Sequence, residues 1–176
     1  IPGVTHPLGH GDRVRPWDGG PELRVMDVGG HTAGHIAYYG AVSLFCGDTV
    51  FACGCGRLFE GSPAQMTASL QRILALPGDT RVYCAHEYTL ENIGFAKWVE
   101  PDNPALLERE RVESARRERG EPTVPFTLDQ ERASNPFLRF GEPAVVQAAS
   151  RWAGEDLEGP VAVFAAVRAW KDREYD

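Results

Sequence analysis

Ser43-Leu44-Phe45-Cys46-Gly47-Asp48 carries a short apolar strand through a glycine into a carboxylate that a metal ion can use. A similar strand end occurs upstream, where Val25-Met26-Asp27-Val28-Gly29-Gly30 leads into His31, and, with alanine in place of the glycine, downstream, where Val82-Tyr83-Cys84-Ala85 leads into His86. If the three strands are parallel neighbours, all three side chains emerge on one edge of a sheet, where open α/β architectures place their ligands. Gly29, Gly30 and Gly47 permit the tight bends that turn a short side chain inward at a strand end. Two imidazoles and one carboxylate suit zinc or a similar first-row ion, and the carboxylate can bridge two ions. A lone histidine at a strand end is more often a satisfied structural residue, but three repeats of the pattern favour a site. His31 and His35 are four apart like the pair of a helical zincin. Gly29, Gly30 and Gly34 disfavour a helix there and no Glu follows His31, so His31 is taken as the ligand and His35 as a packing or supporting residue.

Around these segments the first 90 or so residues alternate β-branched or aromatic runs with Gly and Pro. Strands are expected at Arg13–Val14, Leu23–Val28, Ile36–Tyr39, Val42–Cys46 and Arg81–Cys84. Ser62, Pro63 and Gln65 supply a cap, a first-turn proline and a capping-box partner for a helix whose apolar face is Met66, Leu70, Ile73 and Leu74, ended by Pro77-Gly78. Beyond a boundary near Glu100-Pro101 the chain reads as helical. Helices are expected from Thr89 to about Val99, from the Asn103-Pro104 cap to Gly120, from Pro143 to Ala153 and from Pro160 to about Glu174, with a capped turn at Thr127/Gln130. The mixed charges from Glu108 to Arg119 read as a solvated face with weak ion pairs and no chemistry.

The 176 residues, 43% hydrophobic and 24% charged, fit one core with a small appended lobe. A net charge of −7 argues against general affinity for nucleic acid, so any anion binding must be local. No apolar run is long enough to cross a bilayer and the opening residues do not resemble a signal peptide, which points to a cytoplasmic protein, read here as a monomer. Cys46, Cys53, Cys55 and Cys84 show no paired zinc-module spacing and read as reduced core thiols. The chain begins without methionine in a Pro/Gly segment, and the expectation is a fragment.

HTAGH (31–35), LFCGDTVFACGCGRLFEG (44–61), RVYCAHEYT (81–89), VEPDNPAL (99–106), EPTVPFTLDQERASNPFLR (121–139) and AVRAWKD (166–172) occur in the order seen in glyoxalase II, the hydroxyacylglutathione hydrolases, and from about Thr5 onward the chain resembles that family. A His and a Gly-Asp step are common among metallo-β-lactamase-fold proteins; GCGR, AHEYT and NPFLR together are far more specific. The resemblance implies an α+β fold: a metallo-β-lactamase-type αββα sandwich, incomplete at its N-terminus, over residues 1–100, followed by a C-terminal helical glutathione-binding domain over 101–176. It implies hydrolysis of acylglutathione thioesters such as S-lactoylglutathione, a step of methylglyoxal detoxification. It further implies that a metal-activated hydroxide is the nucleophile and that a hydroxy acid and glutathione are released. By position, His31 falls as a ligand of one divalent ion, Asp48 as the bridging catalytic carboxylate, and His86 as a ligand of the second ion; zinc is expected, with iron or manganese as alternatives. Arg57, Phe59, Tyr88, Arg168 and Lys171 fall where the family binds glutathione. Phe59 stands where a tyrosine is usual and Ala85 where a glycine is usual, so one hydroxyl contact is lost. Arg168 and Lys171, three apart on an expected helix, suit a ligand with two carboxylates.

The family also carries an earlier THxHxDH motif that this chain lacks. Thr5-His6-Pro7-Leu8-Gly9-His10-Gly11-Asp12 has the wrong spacing for it and corresponds to a later hairpin. Each ion therefore keeps one histidine and the shared Asp48, and the isolated chain is expected to be inactive. Cys53 and Cys55 have no paired base other than an expected metal ligand, which argues against a thiol nucleophile. The competing readings are another enzyme of this fold, such as a single-iron persulfide dioxygenase, against which the NPFLR-bearing lobe argues, and a non-catalytic remnant.

Overall fold

The apolar runs form short strands in the computed structural model, which describes residues 4–175; the reading of Ile1-Pro2-Gly3 as the start of a fragment lies outside them. In chain order the strands are β1 (Arg13–Val14), β2 (Leu23–Asp27), β3 (Ile36–Gly40), β4 (Ser43–Gly47), β5 (Val50–Phe51), β6 (Gly54–Cys55), β7 (Arg81–Cys84) and β8 (Phe126–Thr127). Six of them make one sheet in the order β1-β2-β3-β4-β7-β8, and β5 and β6 form a separate hairpin.

β1 to β4 are an antiparallel meander, β7 joins β4 in parallel, and β8 closes antiparallel on β7. The three strands that precede His31, Asp48 and His86 are thus not all neighbours, because β3 runs against them between β2 and β4. They nevertheless share one direction, and their C-terminal ends reach the same edge. β4 begins at Ser43 and not at Val42 because Ala41 and Val42 take left-handed φ values of 49° and 55° in the two-residue turn that pairs Gly40 with Ser43.

Helix α1 (Pro63–Leu74) makes the crossover from β4 to β7. Its Ser62 and Gln65 form the reciprocal capping box, and Met66, Leu70 and Ile73 are buried against the sheet. Five helices follow: α2 (Thr89–Val99), α3 (Pro104–Glu118), α4 (Leu128–Ser134), α5 (Pro143–Ala153) and α6 (Gly159–Glu174). One apolar cluster runs from Met26, Leu44 and Val82 in the sheet through Leu70 and Ile73 to Phe137, Phe164 and Val167. No helix among the described residues is long and apolar enough to cross a membrane.

The charged face expected on α3 is only partly solvated. Leu106, Arg109 and Glu113 lie on the buried side, and Arg109 Nη1 is 2.6 Å from Glu131 Oε1 on α4. Burial pushes the Glu131 carboxyl above its ordinary range, opposed by that guanidinium. Glu131 Oε2 accepts from the Cys53 backbone N–H at 2.9 Å and from Asn135 Nδ2 at 2.8 Å, so these charges brace the β5–β6 hairpin from the helical side. Burying them is tolerable because each is paired.

Candidate metal and ligand site

Three loops leave the shared sheet edge and meet. His31 Nδ1 lies 2.8 Å from the Arg57 carbonyl oxygen, a contact in which the nitrogen must be the protonated donor. In the neutral imidazole the lone pair is then on Nε2, which lies 4.0 Å from Asp48 Oδ2. His86 Nε2 approaches the other oxygen, Oδ1, at 3.3 Å. Each imidazole therefore addresses its own oxygen of one carboxylate. A register shift between Phe45 and Gly47 in the β4–β7 pairing turns the chain just before Asp48.

His35 does not join the other two histidines at the carboxylate. Its Nε2 accepts the Asp48 backbone N–H at 3.2 Å and packs over Gly47, whose φ of 54° is left-handed and where a Cβ would lie 2.5 Å from that nitrogen. Glycine at 47 and histidine at 35 thus set the backbone from which Asp48 projects. The loop with His6 and His10 is elsewhere employed: His10 Nδ1 accepts the Asp27 backbone N–H at 3.1 Å, and His6 is exposed.

One cleft of about 460 Å³ is lined by His31, Asp48 and His86 together with Arg57, Phe59, Tyr88, Arg168 and Lys171. Phe59 is 70% exposed and its ring centroid is 4.9 Å from that of His31, while Tyr88 leans on His86 and Phe51. The two basic residues of α6 are not surface groups: Arg168 and Lys171 are 3% and 6% exposed. Arg168 donates to the Cys55 carbonyl and to Asp172, and Asp172 also lies 3.9 Å from Arg57. Lys171 donates to Asn92 Oδ1 at 2.6 Å. Asn92, Glu91, Phe51 and Asp172 were missed by the sequence reading. Only the four-residue spacing of Asp172 from Arg168 gave a signal, since a buried asparagine in a helix carries none.

The thiols offer no nucleophile. Burial pushes Cys46 and Cys53 up to about 12 and Cys84 up to about 11, and it raises Cys55 as well.

The chemistry of the remaining donors suits divalent first-row ions. Among the described residues, no group of three or more His, Cys, Asp and Glu side chains is gathered to hold an ion unaided. What the cleft offers is one carboxylate with an imidazole on each side, which fits part of two neighbouring coordination shells and not one complete shell.

Residues 87–174 match the family described as hydroxyacylglutathione hydrolase C-terminus, and residues 3–86 match the metallo-beta-lactamase superfamily. The chain belongs to the hydroxyacylglutathione hydrolase family. It is 56% identical over 172 residues to the hydroxyacylglutathione hydrolase of Nitrosomonas europaea, covering 98% of this chain and 66% of that protein. It is 58% identical to that of Alkalilimnicola ehrlichii, covering 98% and 68%. The chain thus spans about two thirds of the length of these relatives. Among solved structures, ETHE1 from Myxococcus xanthus aligns with a TM-score of 0.57 at 23% identity, over 96% of this chain and 60% of that one, a likeness that shows the fold alone. Membership in the metallo-β-lactamase superfamily implies divalent metal ions as cofactors.

Proposed function

We propose that these residues form the larger part of the site of a hydrolase that cleaves acylglutathione thioesters such as S-lactoylglutathione. The observation that carries this reading is the joint lining of one cleft by a carboxylate flanked by two imidazoles and by Arg57, Arg168 and Lys171. The first group matches what a thioester carbonyl needs and the second what a ligand with two carboxylates needs. In this reading residues 1–100 serve the metal-binding part and residues 101–176 the glutathione-binding part.

His31 and His86 would each give one ion an Nε2 lone pair, and Asp48 would give an oxygen to both. Zinc is the proposed ion, with iron or manganese as alternatives, and ions held there supply Lewis acidity toward the thioester carbonyl and toward water. The Arg57 carbonyl holds His31 in the tautomer that keeps Nε2 available. His35 holds the Asp48 backbone. Phe59 and Tyr88 offer aromatic surface to the acyl or peptide part of the ligand, and the cations of α6 hold its carboxylates away from the reacting carbon. The substrate is small; a monomer without nucleic-acid or membrane partners is part of the same proposal.

The test is steady-state hydrolysis of S-lactoylglutathione by metal-loaded enzyme spanning the length of the relatives. Arg168→Ala and Lys171→Ala should each raise KM about tenfold or more while kcat changes less than about threefold, since they hold groups remote from the thioester. An unchanged KM would remove both residues from the substrate site. Absence of turnover with any acylglutathione by the unsubstituted enzyme would remove the function.

A further inference from the structure

Asn92 is 3% exposed, lies one turn into α2, and lines the cleft without any role in the chemistry described so far. Its two amide atoms face different parts of the fold. Oδ1 accepts from the Lys171 ammonium at 2.6 Å, and Nδ2 donates to the Ala52 carbonyl at 3.0 Å. An ammonium can only donate and a carbonyl can only accept, so the orientation of the amide is fixed by its partners. Room for it comes from Gly54, where a Cβ would lie 2.5 Å from Nδ2.

Ala52 sits in the β5–β6 hairpin, which follows Asp48 directly and leads into Gly56 and Arg57. The same hairpin is held by Glu131 through the Cys53 N–H, and by Asn135 through the Phe51 and Gly54 carbonyls. Those contacts secure the hairpin to α4 and its C-terminal end. Asn92 differs from them in joining the hairpin to a cation of the cleft itself.

We infer that Asn92 is a positioning residue that fixes the Lys171 ammonium at the cleft wall and ties it to the hairpin following Asp48. The anion-binding group and the carboxylate flanked by imidazoles thereby keep one spacing. The ligand concerned is a carboxylate of the glutathione moiety, so the inference rests on the function proposed above. A leucine at 92 would fill a similar volume while removing both the amide oxygen that accepts from the Lys171 ammonium and the amide N–H that donates to the Ala52 carbonyl.

The experiment is a double-mutant cycle in the metal-loaded enzyme spanning the length of the relatives, using Asn92→Leu, Lys171→Ala and the pair. The readouts are KM and kcat for S-lactoylglutathione and the calorimetric affinity of the metal-free protein for glutathione. Asn92→Leu should raise KM and weaken glutathione binding about tenfold with kcat within about threefold, and the pair should be no worse than Lys171→Ala by more than about twofold. Additive losses in the pair, or an unchanged KM beside a lowered Tm, would leave Asn92 a purely structural residue and sink the inference alone. If Lys171→Ala changes neither KM nor glutathione affinity, the reading of the cleft fails and takes the inference with it. Should Asn92→Leu not fold, Asn92→Ser, too short to span both partners, carries the same comparison.

Discussion

Asp48→Ala should strip the enzyme of bound metal and lower kcat/KM for S-lactoylglutathione by about a thousandfold or more. The size follows from how much converges on this one side chain. Its two oxygens lie 4.0 Å and 3.3 Å from the Nε2 atoms of His31 and His86, so in the proposed site both ions would lose a donor at once. Alanine also leaves two imidazoles facing each other across a vacant position with no negative charge between them. Asp48→Asn is the sharper comparison, because it keeps the shape and the backbone held by His35 while removing the charge. Metal content per chain and steady-state rates on the same samples are the measurements. An Asp48→Ala enzyme that keeps its metal and its rate would mean that the cleft is not the reaction centre.

The 176 residues produced as an isolated polypeptide should hydrolyse acylglutathione at close to the background rate even with added zinc. A catalytic zinc site usually has three protein ligands and an open position, whereas each side of Asp48 offers one imidazole and one carboxylate oxygen. Extending the polypeptide to the length of the relatives, with the THxHxDH motif that the family resemblance implies, should restore metal binding and turnover together. Simultaneous recovery is the informative part, because a motif acting only as a folding aid would restore structure without tight metal binding. Enzyme-like turnover by the isolated polypeptide, unaffected by Asp48→Ala, would overturn the ligand count.

Much of this site was legible because its signals are local. The Ser62/Gln65 capping box fixes the start of α1, and a glycine directly before His31 and Asp48 marks two of the three bends. The family motifs added the distant cations of α6. What escaped depends on tertiary context. β5, β6 and β8, two residues each, went unread, although the equally short β1 is expected at Arg13–Val14. The antiparallel β3 between β2 and β4 leaves no trace in the apolar runs, which look alike whichever way a neighbour runs. On α3 the rows of charge conceal a stripe, Leu106, Arg109 and Glu113, whose three- and four-residue spacing puts it on one face. Nothing in the chain's own charge pattern says that Glu131 waits opposite Arg109, or that Asn92 will find an ammonium from a helix some 80 residues away.

The sheet order also bears on how the chain acquires its site. β1 to β4 are joined by short connections and can zip together from near neighbours, so His31 and Asp48 come into proximity through local contacts. β7 must return past α1 before it can lie beside β4, a longer closure with a larger entropic toll, and β8 arrives later still in sequence. The carboxylate and its first imidazole should therefore be assembled in a half-formed chain that still lacks the second. In pulse-labelled hydrogen exchange during refolding, amides of β2 to β4 should gain protection before those of β7; simultaneous protection would mean that the crossover is part of the nucleus.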